Sequence, residues 1–123
     1  MNLDDFQNRC VYAASRYLER RGYEVIDTYR DDSGNTFLLA ADDDIAVVAA
    51  VTGSRDAEKF AEKPSQEAFE GAMVALLSNY DAVDRPVRPD HIMVHALSSD
   101  RALLRHHQSC IGGLPLDAPE VDL

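Results

Sequence analysis

Leu3, Phe6, Cys10, Ala13 or Ala14 and Tyr17 recur at three- and four-residue intervals, which puts them on one face of a helix from about residue 3 to 21. Asp4 and Asp5 suit the positive end of that helix's dipole, and Gly22 stands where a left-handed residue would end it. The period then changes. Tyr23 to Arg30, rich in Tyr, Val, Ile and Thr, predicts a strand, Asp31-Asp32-Ser33-Gly34 a turn, and Thr36 to Ala41 a second strand. Asp42-Asp43-Asp44 predicts a solvated hairpin tip, and Ile45 to Thr52 a third strand whose unbroken apolar run implies cover on both faces.

After Gly53 the chain turns polar. Arg55, Lys59 and Lys63 are spaced four apart and would share a helical face, but Asp56, Glu58 and Glu62 cancel their charge, so a solvated helix or loop is expected. Pro64 and Ser65 open a second helix, to about residue 80, with Phe69, Ala72 or Met73, Leu76 and Tyr80 as its stripe. Asp81 to Pro89 predicts a loop, His91 to Leu97 a fourth strand, and Asp100 to Cys110 a last helix stopped by Gly112-Gly113. From Leu114 the tail holds two prolines and three acids in ten residues and is expected to be loose, leaving residues 1–113 as one domain. The order is helix, three-strand meander, helix, strand, helix. Short turns make the first three strands antiparallel neighbours, and the second helix supplies the crossover a parallel fourth strand requires. The fold class is α/β, a mixed sheet flanked by helices.

Composition narrows the function more than the fold. A chain of 123 residues suits a single domain that buries roughly two thirds of its unfolded surface. Its longest apolar run, Ile45 to Val51, is seven residues, far short of the ~18 of a membrane span. The acidic start is unlike a signal peptide, so a cytoplasmic address is expected. Cys10 and Cys110 show no metal-ligand spacing and read as reduced core thiols. With 22 acidic and 12 basic residues the net charge is −10, whereas nucleic-acid binding normally rests on a Lys/Arg field. Tight binding to nucleic acid is therefore not expected.

Ser33-Gly34-Asn35-Thr36-Phe37-Leu38-Leu39-Ala40 and Val47-Val48-Ala49-Ala50-Val51-Thr52 resemble the paired strands of the YraN family of predicted endonucleases, which read roughly GEIDLI and VFVEVK or VFVEVR. Ala14, Tyr17, Leu18 and Gly22-Tyr23 fit the family's A-x-x-YL and GY signature, and Arg88-Pro89-Asp90-His91-Ile92-Met93-Val94 resembles its RFDVV strand. The resemblance covers about residues 5 to 97 and implies a restriction-endonuclease-like fold. It also implies where catalysis would sit. The family's Glu, Asp, Glu and Lys fall on Asn35, Phe37, Ala50 and Thr52, and its first-helix Glu on Val11.

A nuclease of this kind needs carboxylates converging on a hard cation and a cation near the developing charge. Phe37 and Ala50 cannot ligate, Asn35 is neutral and Thr52 carries no charge. Replacement at every position points to a scaffold released from catalysis, without metal or cofactor. Asp90 reads as a structural or turn-capping residue. His91, His95, His106 and His107 read as surface histidines, the first two about 13 Å apart along a strand and too distant to share one metal. No phosphate-binding glycine loop or nucleophile elbow occurs. The expected function is therefore binding, with a protein partner or a second copy of the chain. One alternative is a metal-dependent nuclease whose carboxylates have moved to Glu24, Asp27, Asp42 or Asp44. Another is a nucleic-acid binder resting on Arg55, Lys59, Lys63, Arg85 and Arg88.

Overall fold

A computed structural model describes residues 3–55, 63–78, 85–98, 100–110 and 121–122, with side chains for those within 5–110. The elements are α1 (Leu3–Arg20), β1 (Glu24–Arg30), β2 (Thr36–Ala41), β3 (Ala46–Ser54), α2 (Gln66–Leu77), β4 (Val87–Ala96), β5 (Ala102–His107) and β6 (Val121–Asp122). They form an α/β fold in which one mixed sheet, ordered β1-β2-β3-β4-β5-β6, lies between two helices. Among the described strands only β3 and β4 pair in parallel, and α2 lies in the connection between them. No described helix is long and apolar enough to cross a membrane.

Local chemistry sets the boundaries. Gly22 takes φ +93°. Its N–H donates to the Glu19 carbonyl at 3.1 Å, and Tyr23 N–H to the Leu18 carbonyl at 3.0 Å, the paired bonds that close a helix end over a left-handed residue. Asp31 organises the first turn. Its carboxylate accepts from the backbone N–H of Ser33 and Asn35 and from the Asn35 amide, so it stays ionised to lower pH than usual although burial works the other way. Asp42 does the same at the next tip, accepting from Asp44 N–H and Ile45 N–H at 2.8 Å each. Ser65 caps α2 through its hydroxyl, 3.1 Å from Ala68 N–H.

Strand alternation divides the core in two. Leu38 and Ala40 of β2, Val47, Ala49 and Val51 of β3, and Ile92 and Val94 of β4 face Cys10, Ala14 and Leu18 of α1. Phe37, Leu39, Val48 and Ala50 face Phe69, Ala72 and Leu76 of α2. The close approach of α1 to β3 depends on Gly53, where a Cβ would lie 2.5 Å from Cys10 Sγ and 3.0 Å from Phe6 Cε2.

Two expectations are corrected. The helix expected over Asp100 to Cys110 is instead β5, antiparallel to β4 from His91↔His107 to Ala96↔Ala102. Ile92, Met93 and Val94 are buried in β4, so the strand's outer backbone groups need partners, and β5 supplies them. Pairing outweighs the helix preference of Ala102-Leu103-Leu104-Arg105. The histidines expected at the surface are largely inside: His91, His95 and His106 are each no more than 4 % exposed. His106 and His107 leave opposite faces of a strand rather than diverging on a helix. β4 also begins at Val87, inside the expected loop, and Pro89 is tolerated because pairing with β5 starts only at His91. The segment expected as a loose tail ends in Val121–Asp122, paired to Arg105 and His106, while residues 111–120 lie outside those described.

Candidate functional site

The positions that carry the family comparison gather on the α2 side of β2 and β3. Phe37 and Ala50 are register partners, and both are fully buried. The Phe37 ring meets the Phe69 ring edge to face at 5.3 Å, and Tyr29 lies beyond it at 6.5 Å. Aromatic packing fills this place, where the resemblance would imply metal-binding carboxylates. Asn35 lies at the head of β2, its amide committed to Asp31 at 2.9 Å. Thr52, further along β3, places its hydroxyl 2.8 Å from His91 Nε2.

Thr52 and His91 form a hydroxyl–imidazole pair, the beginning of a nucleophile and its base. The electrostatics work against that use. Burial, with the positive charges of His107 and Lys63, pushes His91 down to about 4, so it is neutral at pH 7 and a weak base there. The pair satisfies the polar groups of buried His91 and half-buried Thr52 at the end of the α2-side core.

On the opposite face, Asp90 is fully buried at the centre of a polar network. Arg88 grips it through two N–H groups, one to each oxygen, at 2.8 Å. His106 Nε2 lies 2.6 Å from Oδ2, and Ser109 N–H donates to Oδ1 at 3.0 Å. The chain continues through His106 Nδ1 to the Tyr17 hydroxyl at 2.7 Å, and from Arg88 to the Tyr23 hydroxyl at 3.2 Å. Burial alone would raise the Asp90 carboxyl; bonds from His106 and Arg88, and their charge, outweigh it and hold it below the usual carboxylate range. Tyr17 moves the other way, its hydroxyl made harder to ionise by burial. The Tyr17–His106–Asp90 series ties α1 to β4 and β5. Asp90, read from the sequence as a structural or turn-capping residue, lies at the centre of a buried network. The sheet separates it from Phe37 and Ala50.

The alternative carboxylates are dispersed. Asp42 and Asp44 occupy the β2–β3 tip, at the far end of the hairpin from Thr52, about 20 Å of strand away. Glu24 and Asp27 lie on edge strand β1, where Asp27 Oδ1 accepts from Thr28 N–H. Among the described residues, no three His, Cys, Asp or Glu side chains form a group able to hold a metal ion.

The basic residues do not line up in a row either. Arg55, at the end of β3, stacks over Phe6 with its guanidinium 4.5 Å from the ring centroid. Arg88, near the start of the parallel neighbour β4, is inside the Asp90 network, roughly 25 Å of strand from Arg55. Lys63 donates to the Cys110 carbonyl at 2.7 Å, and Lys59 lies outside the described residues.

Sequence reasoning missed the Tyr17–His106–Asp90–Arg88 series because reading 100–110 as a helix turned His106 away from Asp90. The available signal was Arg-x-Asp at 88–90, two opposite charges on one face of a strand. Neither protein-family models nor curated proteins gave a match to this chain.

Proposed function

We propose that this protein is a non-catalytic binding protein on a restriction-endonuclease-like scaffold related to the YraN family, and that its partner is a protein. The observation that carries the reading is the packing of Phe37 and Ala50: both are fully buried against Phe69 at the place where the resemblance requires an open, carboxylate-lined cleft. Thr52, at the position of the family's lysine, is engaged with His91. The order α1, β1 to β3, α2, β4 is the order the resemblance calls for, while β5 replaces its final helix. A net charge of −10, with Arg88 and Lys63 committed to internal partners, favours a protein over a phosphate backbone.

The test is incubation of purified protein with single-stranded, double-stranded and branched DNA in Mg²⁺ or Mn²⁺. No cleavage is expected. Cleavage that EDTA abolishes, and that persists through a second purification, would overturn the proposal.

A further inference from the structure

Against α1, on the side of the sheet away from Phe37, lies a half-open cleft of about 790 Å³ between the helix and the turn joining β4 to β5. Phe6, Cys10, Ala13, Val94 and Ala96 give it an apolar lining. Tyr12 and Leu97 also line it, with 63 % and 52 % of their surface exposed. Large apolar side chains left this open beside a concavity are unusual for a surface with nothing to bind.

The charge around the cleft is opposite to that of the protein. Among the described residues that line it, Arg9, Arg55 and Arg101 are basic and Asp100 is the one acid, a local excess of positive charge in a chain whose net charge is −10. Asp100 is partly satisfied by the Ser98 hydroxyl at 2.9 Å. Arg55 lies over the Phe6 ring at 4.5 Å, and a guanidinium carries N–H groups suited to a carboxylate. One α-helical turn along, Arg16 stacks on Tyr12 at 5.8 Å and bonds its hydroxyl at 3.1 Å. Arginine and tyrosine around an apolar centre are the residue types that dominate protein-recognition energetics.

We propose that this cleft docks an acidic segment of a partner protein, with one large apolar side chain of the segment filling the floor and carboxylates meeting Arg55 and Arg101. The inference rests on the protein-binding reading above and gives that reading a place and a partner chemistry. Nucleic acid fits less well, because its phosphates call for an extended basic row rather than a rim around an apolar hollow.

The test is titration of the ¹⁵N-labelled full chain with the blocked peptide EDLFDE, followed by amide shifts. Controls are KRLFRK, which reverses the charge, and EDGSDE, which lacks the apolar anchor. Shifts confined to residues around 6–13 and 94–102 are expected, with each control at least about tenfold weaker. The pair Arg55→Glu and Arg101→Glu should weaken EDLFDE by about tenfold or more while keeping a dispersed spectrum. Arg101→Gln alone, at an exposed turn, gives the same direction if the pair disturbs folding. Absence of shifts at about 1 mM peptide, equal binding of KRLFRK, or indifference to the arginine changes would overturn the proposal. So would shifts of the same amides by octanoate or a DNA oligonucleotide but not by EDLFDE, which would make this a small-molecule or nucleic-acid site. Metal-dependent cleavage in the nuclease assay would remove the non-catalytic reading without altering the peptide titration, so the two failures are distinguishable.

Discussion

Ala50→Glu restores, at one position, the residue type that the family resemblance calls for, and asks whether the structure still has room for it. Ala50 lies between its register partners Phe37 on β2 and His91 on β4, in the cluster that contains Phe69 and Val48. Val47 and Val51, its near neighbours in sequence, face the other side. Of these neighbours His91 is the titratable one, and its Nε2 is already engaged with the Thr52 hydroxyl. A carboxylate introduced there loses its hydration without a partner and adds volume to a filled space, a cost of roughly 2 to 5 kcal/mol. Taking about 4 °C per kcal/mol for a domain of this size, the melting temperature should fall by roughly 8 to 20 °C.

Thermal and urea unfolding followed by circular dichroism measure the loss, and pH identifies its cause. A desolvated carboxyl has a native pKa above its unfolded value of ~4.3. Between the two values the native state binds more protons than the unfolded state, so the variant's deficit relative to wild type should be smaller near pH 4 and grow as pH rises. A deficit unchanged between about pH 4 and 7 would assign the loss to crowding alone. A melting temperature within about 3 °C of wild type at pH 7 would refute the filled-cleft reasoning. So would a well-folded Asn35→Glu, Phe37→Asp, Ala50→Glu, Thr52→Lys protein whose melting temperature rises with Mg²⁺ or Mn²⁺, since binding to the native state alone stabilises it.

Because His91 is depressed from 6.5 to about 4 on folding, the unfolded chain binds more protons in that window, so stability should fall as pH drops from about 6.5 to 4. His91→Gln should flatten that slope, by at most ~1.4 kcal/mol per pH unit, and an unchanged slope would mean that His91 is not the group responsible. Asp90→Leu leaves Arg88 and His106 without their shared acceptor and should cost about 3 to 5 kcal/mol in urea unfolding; a loss under about 1 kcal/mol would show the network to be dispensable. Gly53→Ala should destabilise by about 1 to 3 kcal/mol through contact with Cys10 Sγ, and Cys10→Ala in the same chain should recover part of it; additive losses would place the strain elsewhere.

What the sequence revealed of the fold follows from which interactions are local. The α1 stripe, the Gly22 stop and the Asp31 and Asp42 turns are each decided within a few residues, and the observed elements begin and end within a few positions of those expected. Residues 102–107 are different. Ala102-Leu103-Leu104-Arg105 are good helix formers, yet the state of 102–107 is set by pairing with the edge of β4. The same error hid the buried histidines, because a histidine looks like a surface residue until an acceptor such as Asp90 is placed beside it by tertiary contact. The cleft beside α1 was illegible for a related reason. Arg9, Arg55 and Arg101 are far apart in the chain and converge only when the β4–β5 turn comes to rest against the helix.

The two faces of the sheet therefore lead to different conclusions about the same scaffold. On the α2 side, Phe37 and Ala50 are packed into core, at positions where the resemblance would imply carboxylates. On the α1 side, polar groups are kept and satisfied: Asp90 holds Arg88, His106 and Ser109 together, and His106 reaches Tyr17 on the helix. A buried ionic network contributes little net stability against well-packed apolar side chains, but it penalises any arrangement in which its members part. Its geometric effect here is to fix α1 against β4 and β5, the same elements whose other ends form the arginine-rimmed cleft. If the Asp90 network positions that cleft, disturbing the network should weaken binding there. Asp90→Asn, which keeps the shape but removes the charge and replaces one acceptor oxygen with an amide donor, should leave the chain folded and loosen α1. The measurable consequence is faster amide exchange in α1 together with weaker EDLFDE binding, and unchanged binding with unchanged exchange would separate the network from the cleft.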